Sequence, residues 1–264
     1  MRRMWAAGAA IVMCVALGGL PVAGQEASSG GTAELAVEYV HPEVLVDSDW
    51  LVENLDDPSV WIVDAREGLV FYRRGHIPGA VFVQLCCPSD LIDAAPFAKL
   101  MGKNGIGDDT TVVIYDDTGG LWGARVWWAL QYYGHDDARL LNGGLDAWEA
   151  EGLPLEEETP EVEPAVFTAA VQPEWHVAMD EVRAAIDDPA ITIVDALPAG
   201  SYRSEHIPTA VSLPAPELLD ATGMVKGADD LSAMLEDAGL DAAQRTITYC
   251  GGGYYGAFAA FVLH

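Results

Sequence analysis

The chain repeats itself. An apolar run from Val60 closes on Asp64-Ala65-Arg66, and a second from Ile191 closes on Asp195-Ala196-Leu197. His76-Ile77-Pro78 follows the first and His206-Ile207-Pro208 the second, so the offsets are 131 between the aspartates and 130 between the histidines. An offset this steady over separate landmarks marks a duplicated unit, and the chain has to fold as two like halves.

A third landmark extends both copies. Thr111 to Tyr115 and Thr246 to Tyr249 are β-branched or aromatic runs that read as buried strands. Each runs into glycines, and helical patterns follow over Ala124 to Tyr133 and Ala257 to Leu263. Copy one then adds Arg139 to Gly144 and a helix over Leu145 to Glu151. Strands alternating with helices predict an α/β fold, each half a mostly parallel sheet flanked by helices. The first domain spans 40–153 and the second 174–264, joined by a Glu- and Pro-rich linker over 154–173. Set against Asp137 to Glu151, copy two ends at His264 about twenty residues short, so its C-terminal strand and helix are expected to be lacking.

Residues 1–24 read as a signal peptide: Arg2 and Arg3 precede an apolar run from Met4 to Leu20, and Ala23-Gly24 offers cleavage before Gln25. Export to the periplasm or the extracellular space is expected, by a route the basic pair leaves open. Cys14 reads as a small apolar member of that run. The net charge is −28, with 41 acidic against 13 basic residues, and cleavage removes two of the basic ones. Such a surface repels nucleic acid and anionic membranes, so neither a nucleic-acid partner nor stable membrane association after cleavage is expected. Any anion the protein uses must be captured by local geometry.

Three cysteines remain after cleavage. Cys86 and Cys87 are adjacent, so a bond between them would close a strained ring, and they are read as buried and reduced or paired elsewhere. Cys250 is placed differently. In Tyr249-Cys250-Gly251-Gly252-Gly253-Tyr254-Tyr255-Gly256 it stands between a strand end and a helix start. Loops at the carboxyl ends of parallel strands bind ligands, and a helix N-terminus turns free N–H groups toward whatever sits there. Three glycines let the backbone curl with its amides inward, a nest for a thiolate or persulfide. A buried structural cysteine beside an ordinary glycine turn is the blander alternative. Asp116 holds the same place in copy one, where a strand-end or helix-cap carboxylate is expected. His76 and His206 sit in repeated Ile-Pro turns and are read as structural.

Asp64-Ala65-Arg66, Gly75-His76-Ile77-Pro78-Gly79-Ala80, His206-Ile207-Pro208 and Tyr249-Cys250-Gly-Gly-Gly together resemble the tandem-domain rhodaneses over roughly residues 40 to 264. The resemblance implies two rhodanese-like domains, the first without its cysteine and the second catalytic. It implies sulfane sulfur taken from thiosulfate or 3-mercaptopyruvate onto Cys250 and passed to a thiol or cyanide, with no cofactor and no metal. Gly251 to Gly256, with Tyr254 and Tyr255, would form the substrate and persulfide loop, the tyrosines lining the pocket or packing on domain one. Two departures touch the donor: Leu197 stands where copy one has Arg66, and the loop lacks the cations that thiosulfate-specific members often carry. Arg203 is a candidate cation for the donor, although its counterpart Arg73 fits a structural role equally. The fold is also like that of dual-specificity phosphatases, but no arginine follows Cys250 to clamp a phosphate. The rival reading is a non-catalytic exported module that binds sulfur or a partner.

Overall fold

The computed structural model describes residues 13–16, 38–85, 93–241 and 243–264. Residues 1–24 apart from 13–16, read above as a signal peptide, and Cys86 and Cys87 therefore lie outside the described residues. The duplication is visible as two sheets. A short strand, β1 (Met13–Ala16), comes first in sequence. Copy one then runs β2 (Leu45–Val46), α1 (Ser48–Asn54), β3 (Val60–Asp64), α2 (Leu69–Tyr72), β4 (Val81–Phe82), α3 (Ala94–Lys103), β5 (Thr111–Tyr115), α4 (Gly123–Tyr132), β6 (Ala138–Leu141) and α5 (Gly144–Ala150). Its strands lie in the order β2-β6-β5-β3-β4, every pair parallel.

Copy two runs α6 (Met179–Ala185), β7 (Ile191–Asp195), α7 (Ala199–Ser204), β8 (Val211–Ser212), α8 (Ala228–Asp237), β9 (Arg245–Tyr249) and α9 (Tyr254–Leu263). β9 pairs parallel to β7 and β7 to β8. The edge of β9 that corresponds to the β6 side of β5 is taken by β1, antiparallel, with Met13 opposite Tyr249. An unpaired edge strand is a liability, and here the segment Met13–Ala16 covers it.

Both faces of a parallel sheet have to be covered, and the strand sequences show it. In copy one Val63, Val112 and Ile114 face the α4 side, with Trp127 and Trp128, while Ile62, Val113 and Tyr115 face Leu51 and Trp148 on the other. Helix α4 is buried nearly all round, Arg125 included, because its outer face meets α9 of the other copy. Phe261 of α9 packs edge-on to Trp127 at 5.0 Å, and the two copies share one apolar cluster across this seam. A helix apolar on every side can only be stable when enclosed in this way.

The linker over 154–173 is held against the first domain. Glu156 exchanges both backbone hydrogen bonds with His76 at 2.9 Å, the Ala165 amide donates to the Gly102 carbonyl at 2.9 Å, and the Ala170 amide donates to the Tyr133 carbonyl at 2.9 Å. Phe167, 7% exposed, packs into copy one. The segment is a strap laid along the first domain. Its composition reads as a spacer because the backbone pairing that fixes it leaves no trace in side-chain content.

Candidate active site

In each copy the last residue of one central strand and the last of its neighbour are in register, Asp64 beside Tyr115 and Asp195 beside Tyr249. The tyrosine hydroxyl donates to the aspartate Oδ2, at 2.8 Å in copy one and 2.6 Å in copy two. The same hydroxyl oxygen accepts from the amide of Ile77 or Ile207 at 3.1 and 3.0 Å. This pins the His-Ile-Pro turn to the strand ends. Burial and the Asp195 hydrogen bond push the Tyr249 hydroxyl well above the ordinary phenol range, so it stays a donor at any ordinary pH. Arg66 grips Asp64 and the Gly75 carbonyl in copy one. In copy two Leu197 gives only its amide to Asp195, at 2.9 Å.

Cys250 follows directly on β9. It is 3% exposed, and its Sγ accepts the Gly253 amide at 3.0 Å. Gly253 has φ of 89°, which turns this amide inward and favours glycine. Helix α9 begins at Tyr254, three residues before the expected start, so Tyr254, Tyr255 and Gly256 form its first turn and the loop proper is Gly251 to Gly253. The reason is tertiary. Tyr254 packs its ring on Trp122 of copy one, 3.9 Å between centroids and 63° between planes, which makes a helical first turn favourable despite a Tyr-Tyr-Gly sequence that reads as loop. Of the two places open to the tyrosines, Tyr254 thus takes the one against domain one. Thr248 Oγ1 donates to the Gly256 carbonyl at 2.8 Å and ties the helix back to the strand. A Cβ built on Gly251 meets nothing within 4 Å. Arg203 lies on α7 and is exposed, with no hydrogen bond or ion pair to Cys250 or its loop.

Asp116 occupies the matching point after β5, and its carboxylate is fully engaged. Oδ1 accepts the amides of Thr118 and Gly120 at 2.8 Å each, and Oδ2 accepts those of Trp122 at 2.6 Å and Gly123 at 2.7 Å. Four inward amides around one buried anion are a nest. The expected cap role is thereby met, and the loop closes around its own carboxylate. His76 is buried, stacked on Tyr72 at 3.9 Å with Nδ1 on the Tyr72 carbonyl. His206 repeats the arrangement on Tyr202 at 4.0 Å. Both are structural, as read from the turns. Among the described residues no group of three or more His, Cys, Asp or Glu side chains is placed to hold a metal ion.

What sequence reasoning missed is Trp122. It precedes a helix in copy one and carries no motif, and its nearness to the cysteine loop arises only when the two copies pack together.

The family described as Rhodanese-like domain matches residues 47–151 and 178–264. The sulfur carrier protein TtuD of Thermus thermophilus is 33% identical over 244 residues, covering 80% of this chain and 84% of that protein. The 3-mercaptopyruvate sulfurtransferase of Escherichia coli K12 is 33% identical over 247 residues, covering 83% and 87%. The crystal structure of SseA from Escherichia coli superposes with a TM-score of 0.78 at 33% identity, over 83% of this chain and 93% of that one.

Proposed function

The chain belongs to the rhodanese-like family and is an enzyme of the rhodanese type, and from that premise we propose that it moves sulfane sulfur from thiosulfate or 3-mercaptopyruvate to a thiol or cyanide through a persulfide on Cys250. The observation that carries this reading is the Gly253 amide donating to Cys250 Sγ at 3.0 Å, at the start of a ten-residue helix. With thiosulfate, the thiolate attacks the outer sulfur, the sulfur–sulfur bond of the donor breaks, and sulfite leaves with the electron pair. An acceptor thiolate or cyanide then attacks the outer sulfur of the persulfide and returns Cys250 as thiolate. Charge sits on sulfur at each stage, so the group most able to favour the persulfide is a fixed ring of amides. The Asp116 nest supports this. The same strand-loop-helix unit, 134 residues earlier, encloses an anion with four amides.

Incubation with either donor is expected to add about 32 mass units, one sulfur atom, to the peptide carrying Cys250. Cys250→Ser should abolish the gain. Sulfur found on Cys86 or Cys87 instead would overturn the assignment. Room at Gly251 allows a sharper test of donor choice: Gly251→Arg introduces a cation beside the sulfur, and it is expected to raise kcat/KM for thiosulfate by about tenfold or more. Export with cleavage before Gln25 belongs to the same reading, motivated by the Arg2-Arg3 and apolar pattern, and it would take β1 away from the edge of β9. N-terminal sequencing of the protein recovered from outside the cytoplasm decides it, and an intact Met1 there would sink the cleavage.

A further inference from the structure

Among the described residues one hydrogen bond reaches Cys250 Sγ, from a glycine with no side chain to anchor it. The next residue, Tyr254, opens α9, so any fraying of that first turn carries the Gly253 amide away from the sulfur. Thr248 Oγ1 holds Gly256, at the far end of that turn, to β9 from within the same half. Helix ends fray readily, and this one begins after three consecutive glycines, with no side-chain cap.

At the start of the turn, Tyr254 meets the other copy. Trp122 lies edge-on to Tyr254, and its own backbone is fixed because its amide donates to Asp116 Oδ2 at 2.6 Å. Behind this pair the copies touch closely. A Cβ at Gly119, where φ is 72°, would stand 2.4 Å from the Gly223 carbonyl oxygen, and the Val225 amide donates to Asn142 Oδ1 at 2.8 Å. The ring of Trp122 is thus presented by a rigid loop, closed around a buried anion, to the one aromatic side chain that starts the helix under the sulfur.

We propose that Trp122 is a positioning residue for Cys250, bracing Tyr254 so that the Gly253 amide stays on the sulfur, with the Asp116 nest as the anchor that fixes Trp122. The proposal rests on the reading of Cys250 as the sulfur carrier. The copy that carries no nucleophile then has a defined part in the chemistry of the other. A tight ring-to-ring contact of this kind adds to area burial and favours the helical first turn over a frayed one.

The test uses the full chain with Trp122→Leu, which keeps apolar bulk and removes the ring, and Trp122→Phe, which restores an aromatic edge. Tyr254→Leu removes the same contact from the other side. Alkylation of Cys250 by iodoacetamide is followed against pH on its own peptide by mass spectrometry, at a temperature where circular dichroism shows each variant folded. Loading with thiosulfate and 3-mercaptopyruvate is measured alongside. Trp122→Leu is expected to slow alkylation at neutral pH by about tenfold, moving the pH dependence toward alkaline values. kcat should fall with KM little changed, as for an interaction realised in the transition state. Trp122→Phe should lie within about twofold of the unaltered protein, and the Trp122→Leu, Tyr254→Leu double variant should be no worse than either single one. Folded Trp122→Leu and Tyr254→Leu proteins with unaltered pH dependence and loading would overturn the brace and leave the sulfur reading standing. If the unaltered protein takes up no sulfur on Cys250, the sulfur reading falls, and the alkylation profiles still decide the brace.

Discussion

Thr209 sits at φ of 70°, in the turn where copy one has Gly79 at 78°. A β-branched residue in the left-handed region costs about 1–2 kcal/mol, whereas glycine adds about 0.4–1 kcal/mol of unfolded-chain freedom to be lost on folding. The strain is the larger, so Thr209→Gly is expected to raise stability by roughly 0.5–1 kcal/mol, read as a higher urea midpoint at an unchanged slope. Asp116 points the other way. Asp116→Ala would leave four amides without their acceptor, and at about 1–3 kcal/mol for each unsatisfied group even partial rescue by water leaves a loss of at least about 3 kcal/mol. Equal urea midpoints for Asp116→Ala and the unaltered protein would show that the nest is not what holds this loop. Both sites were partly legible in the sequence. The repeat aligns Asp116 with Cys250 and Thr209 with Gly79, but the convergence of four amides and the sign of φ are properties of a folded loop that residue identity does not display.

Among the elements, the central strands were the easiest to read, since β3, β5 and β7 occupy the expected residues and β9 differs only by including Arg245. Uninterrupted runs of β-branched residues leave a buried strand little alternative. The start of α9 was not readable, because it is decided by Trp122 in a different copy. The packing of the linker along copy one is not readable for a related reason. Its proline and glutamate content describes solvent exposure, and Val166 is indeed 79% exposed, yet its amides and carbonyls pair with copy one. Gly102 shows how closely the strap lies: an added Cβ would stand 2.5 Å from the Ala165 carbonyl oxygen. Gly102→Ala is therefore expected to push the strap outward and cost about 1–3 kcal/mol, with proteolytic nicking between residues 154 and 173 as the accompanying sign.

Over the whole molecule, acidity should be destabilising through buried histidine. His135 is 6% exposed, its Nε2 has no hydrogen-bond partner, and burial holds its pKa below the ordinary value. His176 and His264 are shifted down by burial as well. A folded pKa below the unfolded one means that the unfolded chain binds more protons, so this stability is present above about pH 6.5 and is lost as pH falls below it. The net charge of −28 works against that trend, because acid also relieves self-repulsion. The two are separated by comparing slopes: His135→Asn should flatten the fall in stability just below pH 6.5, and an unchanged slope would remove His135 from the account. The seam between α4 and α9 has one further outcome. Ala257, Phe258, Ala259 and Ala260 are fully covered, by α4 of the opposite copy on one side and by β1, β9 and the turn over residues 215–218 on the other. Neither half is a portable part. Expressed alone, the cysteine-bearing half would present a greasy helix to solvent and clump, and in a calorimeter the intact chain should melt as a single cooperative body rather than as two beads on a string.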